Sequence, residues 1–226
     1  MTTNQIQDQE HGQFTKENAR AAGPYRVCEN PPHYLTTVDF SDIPEMVRIL
    51  NINMDVYNGS AHFQFPYLES HAQDRIGNAL GHITNHGYNT TWAMRTRPDG
   101  PLIGWAHAHF KSDLSAVHPE TGKKLKLGDI GYWVSPEYIG KGYASRTARY
   151  IVNEIMFREY DCDIVQAEAY THNVPSRKVL EAIGMRCEIE AKAIFIPKLQ
   201  EQKFICCYSI HRDDSTKSIP FHFVPL

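Results

Sequence analysis

A strand, a short glycine loop and a helix follow one another in residues 128–157, and this segment constrains the fold most strongly. The loop reads Ile139-Gly140-Lys141-Gly142-Tyr143-Ala144. Two glycines let the backbone turn without a Cβ clash, so that its N–H groups can converge on an anion. The helix adds the unpaired amides and the positive dipole end of its first turn. The segment therefore predicts a site for a pyrophosphate group.

The spacing of the glycines excludes a Walker phosphate loop and disfavours a dinucleotide-binding loop. The Walker pattern G-x-x-x-x-G-K-[ST] is absent. A dinucleotide fingerprint requires a third glycine where Ser145 stands, and it requires a parallel βαβ unit, whereas the strand before this loop reads as antiparallel. A nicotinamide oxidoreductase is therefore the weaker interpretation. The pattern favours a loop that joins an antiparallel strand to a helix and binds phosphates through its backbone.

The periodicity of the whole chain predicts one α/β domain. Residues 1–24 predict a flexible N-terminal tail, residues 25–211 a single domain and residues 212–226 a C-terminal tail. Apolar spacing predicts helices over 43–50, 67–86, 144–156 and 175–183. Strands are predicted over 34–38, 90–96, 102–110, 129–134, 163–170, 186–196 and 203–211. This order predicts a mixed, mostly antiparallel central sheet of about six or seven strands with helices on both faces.

Composition disfavours several classes of partner. The 226 residues carry a formal net charge of −3, which provides no strong field for nucleic acid or an anionic membrane. No apolar run approaches the roughly 18 residues of a membrane span, and residues 1–23 lack the apolar core of a secretory signal. Five cysteines, none in a C-x-x-C pair, are typical of free thiols in a reducing compartment. We therefore expect a cytoplasmic protein.

Twelve histidines raise the question of a metal site. His107 and His109 share one face of a predicted strand, and His82 and His86 lie one helical turn apart. Zinc takes three or four ligands, and no cysteine or carboxylate joins either pair at ligand spacing. We therefore expect no metal.

Three segments carry a family resemblance: GDIGYWV at 128–134, IGKGYA at 139–144 and NVPSRKVLEAIGM at 173–185. They resemble the Gcn5-related N-acetyltransferase (GNAT) superfamily, in its RimJ/RimL-type branch. The family motif Q/R-x-x-G-x-G/A stands here as Ile139-x-x-Gly142-x-Ala144, with isoleucine at the first position. Residues 173–185, NVPSRKVLEAIGM, are similar to the family segment N-x-x-S-x-x-x-x-E-x-x-G-[FM]. The strand GDIGYWV at 128–134 is similar to the strand that precedes the loop in this branch. The firm resemblance covers residues 128–187.

The resemblance implies acetyl-CoA as the donor, an amine as the acceptor and a sheet that splays at the cofactor cleft. An ammonium group is not a nucleophile, so a base must take its proton, often through a water. The thioester oxygen becomes negative in the tetrahedral intermediate and requires N–H donors. The departing thiolate takes a proton from an acid. No covalent nucleophile is required, so the transfer is expected to be direct, in a ternary complex.

The resemblance also places roles on individual residues. Asp129 stands where the branch usually carries a glutamate, and it is the candidate base; an exposed strand carboxylate is the alternative. Ser176 is the candidate acid for the thiolate, with first-turn packing as its alternative. Tyr170 is a second candidate acid, for which a half-buried strand tyrosine is the favoured interpretation. The backbones of Trp133 and Val134 are expected to pair with the pantetheine arm like an added strand.

The expected cofactor contacts are concentrated in the glycine loop. The residues assigned to the pyrophosphate, chiefly through backbone N–H groups, are Ile139, Gly140, Lys141, Gly142, Tyr143, Ala144 and Ser145. Asn173 is assigned to CoA, although it could instead cap its own helix. The isoleucine at 139 replaces a side chain that is polar in the family.

The acceptor is the open question. Aromatic and histidine residues around the first two helices predict one wall of its pocket: Tyr57, His62, Phe63, Phe65, Tyr67, His71, His82 and His86. Basic residues are few, so a primary amine of a small molecule is favoured over a protein or peptide N-terminus. A non-catalytic CoA-binding module is a third hypothesis. A monomer and a homodimer are both compatible with the sequence.

Overall fold

The computed structural model describes residues 24–110, 117–118, 120–197 and 199–213. Its strands form one sheet in the order β1-β2-β3-β4-β5-β6-β8-β7. The strands are β1 (Tyr25–Cys28), β2 (His33–Thr37), β3 (Thr91–Arg95), β4 (Gly104–Phe110), β5 (Leu127–Val134), β6 (Ile164–Tyr170), β7 (Arg186–Ile196) and β8 (Glu201–His211). The α/β class and the mostly antiparallel sheet are confirmed, although the described residues contain eight strands rather than six or seven.

Five α-helices accompany the sheet in the described residues. They are α1 (Ile43–Leu50), α2 (Asp55–Asn58), α3 (Glu69–His86), α4 (Tyr143–Tyr150) and α5 (Val174–Ala182). Helix α4 continues from Ile151 to Glu159 with the wider hydrogen bonding of a π-helix. Helix α3 ends, as predicted, at Gly87, whose φ of 80° is the left-handed conformation typical of a helix C-terminus.

Strand β1 is the additional element. It has four residues, too few for a period-2 pattern to emerge from the sequence. Tertiary packing fixes its position, because the Tyr25 ring lies 6.4 Å from that of Trp92 and 5.9 Å from that of Tyr150. The sequence could not supply those partners, since they lie on β3 and α4.

The sheet changes character between β5 and β6, which form its one parallel pair within the described residues. Their register joins Leu127 to Ile164, Gly128 to Val165 and Asp129 to Gln166, and then stops. Beyond these three pairs, residues 130–134 of β5 and 167–170 of β6 do not pair with each other. The sheet therefore splays at its centre, as the family resemblance implies.

The two faces of β5 lead to two cores. Trp133 packs on one face with residues of α1 and α3, including Met46 and Ile76. Ile130 packs on the other face with the α4 segment, including Ile151. Each fully buried aliphatic side chain of this kind contributes about 1.5–3 kcal/mol to stability. Helices therefore cover both faces and leave the splay between them.

The remaining predictions concern termini, thiols and membranes. The predicted N-terminal tail up to residue 23 and residues 214–226 of the C-terminal tail lie outside the described residues. All five cysteines are free, with no disulfide among them. Within the described ranges, no helix combines the length and the apolar character that crossing a membrane requires.

Candidate active site

A cavity of about 1190 Å³ lies between the diverging ends of β5 and β6. One end is formed by the donor loop (residues 139–145), and the other by the acceptor loop (residues 55–63) together with Arg75 of α3. The structure brings almost the whole predicted site to this cavity: Asp129, Trp133, Val134, Ile139, Gly140, Gly142, Tyr143, Ala144, Ser145, Asn173 and Ser176. Lys141 is the predicted site residue that is missing from its lining.

The donor loop has the conformation that its glycines allow. Gly140 and Gly142 have φ values of 78° and 77°, in the left-handed region that side chains disfavour. A Cβ atom at Gly142 would lie 2.8 Å from Nη1 of Arg146. Carbonyl groups of the loop are bonded within the protein, since Ser145 Oγ donates to Gly142 O at 3.2 Å and Arg146 Nη2 donates to Lys141 O at 2.9 Å. These bonds fix the orientation of the peptide units around the two glycines.

Helix α4 adds its own N-terminal amides at the same end of the cavity. Gly142 is its N-cap, and Arg146 N donates to Gly142 O at 3.1 Å. The earlier amides of a helix have no intrahelical acceptor, so residues 143–145, which line the cavity, supply donors with a positive dipole end behind them. This arrangement can hold an anion such as pyrophosphate.

Two side chains of the donor loop contribute no charge to the cavity. The Lys141 ammonium lies 5.0 Å from the centroid of the Tyr138 ring, in a cation–π contact. Ile139 is 56% exposed, an apolar side chain in solvent. The loop therefore presents backbone to the cavity rather than cationic side chains.

Asp129 lies at the point where the sheet divides. It is opposite His109 on β4 and is joined to Gln166 in the last residue pair of β5 and β6. Strand alternation places it with Gly131 and Trp133 on the α3 face. The residue is partly buried and lines the cavity. A carboxylate at the apex of the splay lies between the donor end and the acceptor end.

His107 is a cavity residue that sequence reasoning considered only as a metal ligand. It lies opposite Gly131, and a Cβ atom at Gly131 would come within 2.3 Å of the His107 Cε1 atom. Burial first, and then the nearby His109, Arg75 and His62, lower the pKa of His107 to about 3. The imidazole is therefore neutral at physiological pH. The sequence contains both Gly131 and His107, but only the register of β4 and β5 shows that the glycine lies opposite the imidazole ring.

Among the residues that the structure describes, no group of three or more His, Cys, Asp or Glu side chains could hold a metal ion. The rings of His82 and His86 lie 4.4 Å apart near the end of α3, and those of His107 and His109 lie 4.9 Å apart on β4.

Ser176 and Asn173 meet at the start of α5. Asn173 Oδ1 accepts a hydrogen bond from Ser176 N at 3.2 Å, so Asn173 caps this helix. The Ser176 hydroxyl lies 3.5 Å from Oη of Tyr132, a residue that sequence reasoning missed. Burial raises the pKa of Tyr132 and keeps its phenol protonated. The pair can deliver a proton into the cavity from the α4 face.

Tyr170, the other candidate acid, lies on the opposite face of the sheet from this pair. Strand alternation places it with Glu168 and Gln166, and its ring stacks on that of His172 at 5.3 Å. Burial raises the pKa of Tyr170, and its buried hydroxyl has no hydrogen-bond partner among the described residues. Its position therefore favours a role at the acceptor end over protonation of the thiolate beside Ser176.

Of the eight residues predicted for the acceptor wall, His62 and Phe63 line the cavity, whereas the structure does not bring the other six there. Tyr67 is buried in the α1–α3 core, and His71 Nδ1 accepts from Leu68 N at the start of α3. The others form separate ring contacts: His82 and His86 with Tyr88, and Tyr57 with Phe65. Helical spacing alone could not distinguish these positions from the cavity.

The acceptor loop and the turn after β6 contact each other beside the cavity. His172 Nε2 lies 3.1 Å from Asn58 O, and a Cβ atom at Gly59 would lie 2.9 Å from Asn173 Nδ2. Both segments also line the cavity. These contacts join the two segments beside the acceptor end. We call the pair of segments, residues 58–59 and 172–173, the acceptor roof.

Comparison with known proteins identifies the family. Residues 34–186 match the sequence profile of the acetyltransferase (GNAT) domain, well over half of the chain. The chain therefore belongs to the GNAT acetyltransferase family. An uncharacterized N-acetyltransferase, YnaD of Bacillus subtilis (strain 168), is 40% identical over 60 residues. That match spans 26% of this chain and 35% of the relative, about a third of its length.

Solved structures share the fold at low sequence identity. The ribosomal-protein-S5-alanine acetyltransferase of Vibrio fischeri has a TM-score of 0.60 and 17% identity, over 86% of this chain and 98% of its own. RimJ of Mycobacterium smegmatis, in complex with CoA-disulfide, has a TM-score of 0.61 and 16% identity, over 84% of this chain and 87% of its own. The predicted superfamily and its fold are confirmed, and the neighbours include proteins of the RimJ/RimL type.

Proposed function

We propose that this protein transfers an acetyl group from acetyl-CoA to the primary amine of a small molecule, in a ternary complex and without a covalent enzyme intermediate. One observation carries the proposal. A single cavity joins the amides of the donor loop, Asp129 and Ser176. A donor held by the loop and an amine on the α3 face can therefore meet where β5 and β6 separate.

The donor end fits the shape and charge of coenzyme A. The left-handed glycines and the first turn of α4 suit a pyrophosphate, because they offer backbone donors without a side chain in the way. The edge of β5 at residues 130–134, unpaired with β6, suits a pantetheine arm that bonds to it like an added strand. When bound there, acetyl-CoA supplies the thioester carbonyl.

Proton transfers complete the reaction. Asp129 takes a proton from the ammonium group through a water, which frees the amine to attack the carbonyl carbon. The new C–N bond forms, and the C–S bond breaks as the tetrahedral intermediate collapses. The thiolate takes a proton from the Ser176 hydroxyl, and Tyr132, 3.5 Å away, returns one to Ser176. The nitrogen of the collapsing intermediate gives its second proton to water, and water reprotonates Tyr132. The net products are the amide, the thiol and the one proton that Asp129 took, which passes to solvent.

The acceptor roof favours a small molecule. A protein N-terminus enters its enzyme as an extended chain and requires a groove that is open along its length. Here the contacts of Asn58 with His172 and of Gly59 with Asn173 connect the two sides of the acceptor end. A peptide N-terminus is the alternative, since the structural neighbours include a ribosomal-protein acetyltransferase.

Thiol release from acetyl-CoA tests the proposal. Purified protein is incubated with acetyl-CoA and a panel of primary amines and peptides with free N-termini, and free thiol is measured. We expect release with small amines and an increase in melting temperature with CoA but not with NAD(H). Release with peptides alone would establish the peptide alternative. Stabilisation by CoA without release for any acceptor would establish a non-catalytic CoA-binding module.

A further inference from the structure

The acceptor end contains a cation without a carboxylate partner. Arg75 of α3 lines the cavity, and its guanidinium carbon lies 4.5 Å from the centroid of the Phe63 ring. Its Nη2 atom donates to His62 O at 3.3 Å. Within the described ranges it forms no ion pair. Stacking on a ring leaves the edge of a guanidinium free for in-plane hydrogen bonds, which match a carboxylate or a phosphate.

Further N–H donors belong to residues that line the same cavity. The Trp133 ring lies 6.4 Å from the Phe63 ring, and its buried Nε1 atom has no hydrogen-bond partner among the described residues. Trp133 is 7% exposed and lines the cavity. His107, also in the lining, is neutral and carries one N–H of its own. An indole can donate but not accept, so its natural partner is an acceptor on the ligand.

The carboxylates of the cavity belong to other elements. Asp129 is on β5, Glu168 is on β6, and Asp55 is at the start of α2, where its Oδ2 accepts from Asn53 Nδ2 at 2.9 Å. Asp129 and Glu168 therefore border the splay, where the ammonium group must lose its proton. The charged side chains of the cavity thus include Asp129 and Glu168 at the splay and Arg75 on α3, and Asp55 and Lys178 also line it.

We propose that the acceptor amine also carries an anionic group, a carboxylate or a phosphate, which Arg75 binds with Trp133 and His107 as additional donors. The inference rests on the proposed function, since it names the substrate class of that same cavity. An amine without the anion leaves a buried indole N–H without an acceptor, and it leaves the N–H groups of Arg75 that do not bond to His62 O without a ligand partner. A site built to bond a polar group discriminates strongly against analogues that lack it.

Matched acceptors test the inference in the wild-type protein. The panel contains ω-amino acids, their methyl esters, aminoalkyl phosphates and simple alkylamines of equal length, each with acetyl-CoA. We expect kcat/KM for the anionic amines to exceed that for the neutral ones by about 100-fold or more. The carboxylate and phosphate arms distinguish the two anions. Equal rates for esters and free acids would overturn the inference.

Variants locate the preference at one side chain. Arg75→Gln is expected to raise KM for the anionic amine by about 100-fold, to leave KM for acetyl-CoA unchanged and to abolish the preference over esters. Arg75→Lys keeps the charge without the planar geometry of the guanidinium, and it should recover part of the preference for the anionic amine over its ester. The matched control is Arg26→Gln on β1, an exposed arginine paired with Glu29, which should change neither constant. A preference that survives Arg75→Gln would refute the assignment.

A binding measurement separates this inference from the proposed function. Melting temperatures are recorded for the CoA-bound wild type and the CoA-bound Arg75→Gln protein, each with the anionic and the neutral amines. Stabilisation by anionic amines that the variant lacks supports the anion site even if no thiol is released, in which case only the proposed reaction fails. Absence of stabilisation by any anionic amine, together with absence of turnover, overturns the anion site as well.

Discussion

The two ends of the cavity are built in different ways. The donor end is one continuous stretch, residues 139–145, and in the proposed function it recognises its ligand through backbone amides and the start of α4. The acceptor end is assembled from side chains of α3, β4, β5 and the acceptor loop, which are far apart in the sequence. A site that binds through backbone amides tolerates a change of side chain but not a change of backbone conformation. A site that binds through side chains can change its ligand preference by a single substitution.

The largest effect is expected at Asp129, the residue between the two ends. Asp129→Asn removes the base but keeps the size of the side chain, so kcat should fall by about 100-fold or more while the Kd for CoA stays the same. Steady-state kinetics and calorimetric titration with CoA measure the two quantities. Asp129→Glu, which resembles the family, should retain activity. An unchanged rate in Asp129→Asn would refute the assignment of the base.

A change of conformation should break the donor end. Gly142→Val places a side chain at a φ of 77° and a Cβ atom 2.8 Å from the Arg146 guanidinium, so the loop must rearrange. Backbone strain of about 1–3 kcal/mol predicts a Kd for CoA that is about 5- to 150-fold higher. Gly81→Ala in α3 is the control, because its Cβ atom would contact nothing within 4 Å. Equal CoA affinity in both variants would contradict a backbone site.

Acid should weaken the support of the donor helix. His33 on β2 is buried beneath α4, with Nε2 3.0 Å from Thr147 Oγ1, and burial followed by the charge of Arg146 lowers its pKa to about 4. The unfolded chain therefore binds a proton between pH 6.5 and 4 that the folded protein does not bind, and stability falls as the pH falls through this window. The loss between pH 7 and 5 should be on the order of 2 kcal/mol.

Urea unfolding at pH 7 and pH 5 measures this loss. His33→Gln removes the titrating group, so its stability should depend less on pH than that of the wild type. His107, with a pKa of about 3, contributes in the same direction and remains in the variant. Asn85→Gln, at an exposed position of α3 that does not titrate, is the control and should keep the wild-type dependence. The hypothesis fails if His33→Gln and Asn85→Gln lose stability equally on acidification.

The smallest effect is expected for a side chain of the donor loop. Ile139→Gln introduces the polar group that the family carries at this position, and the present isoleucine is largely exposed. A single added hydrogen bond of about 0.5–1.5 kcal/mol predicts a Kd for CoA that is lower by a few-fold. Titration with CoA measures it. A change in the Kd for CoA as large as that of Gly142→Val would show that side chains contribute as much as the backbone to CoA binding at the donor end.

The same contrast explains what could be predicted from the sequence. The turn of the donor loop could be predicted because Gly140, Gly142 and the helix that follows are neighbours in the chain. The position of Asp129 could be predicted because it lies on the strand that precedes the loop. Two contacts could not be predicted, Tyr132 with Ser176 and Arg75 with His62, because each joins residues on different elements. Strand β1 was not predicted for a similar reason, since packing by Tyr25 fixes it rather than a local pattern.

The short pairing between β5 and β6 has a consequence for hydrogen exchange. The parallel ladder ends at Asp129 and Gln166, so the later backbone groups on the facing edges of these strands gain no protection from each other. We expect their amide protons to exchange quickly in the free protein, in contrast to those of the β4–β5 ladder, which extends to Val134. A bound donor that bonds to the β5 edge would slow this exchange and suppress local opening of the sheet. Ligand occupancy would then be measurable amide by amide, without any turnover.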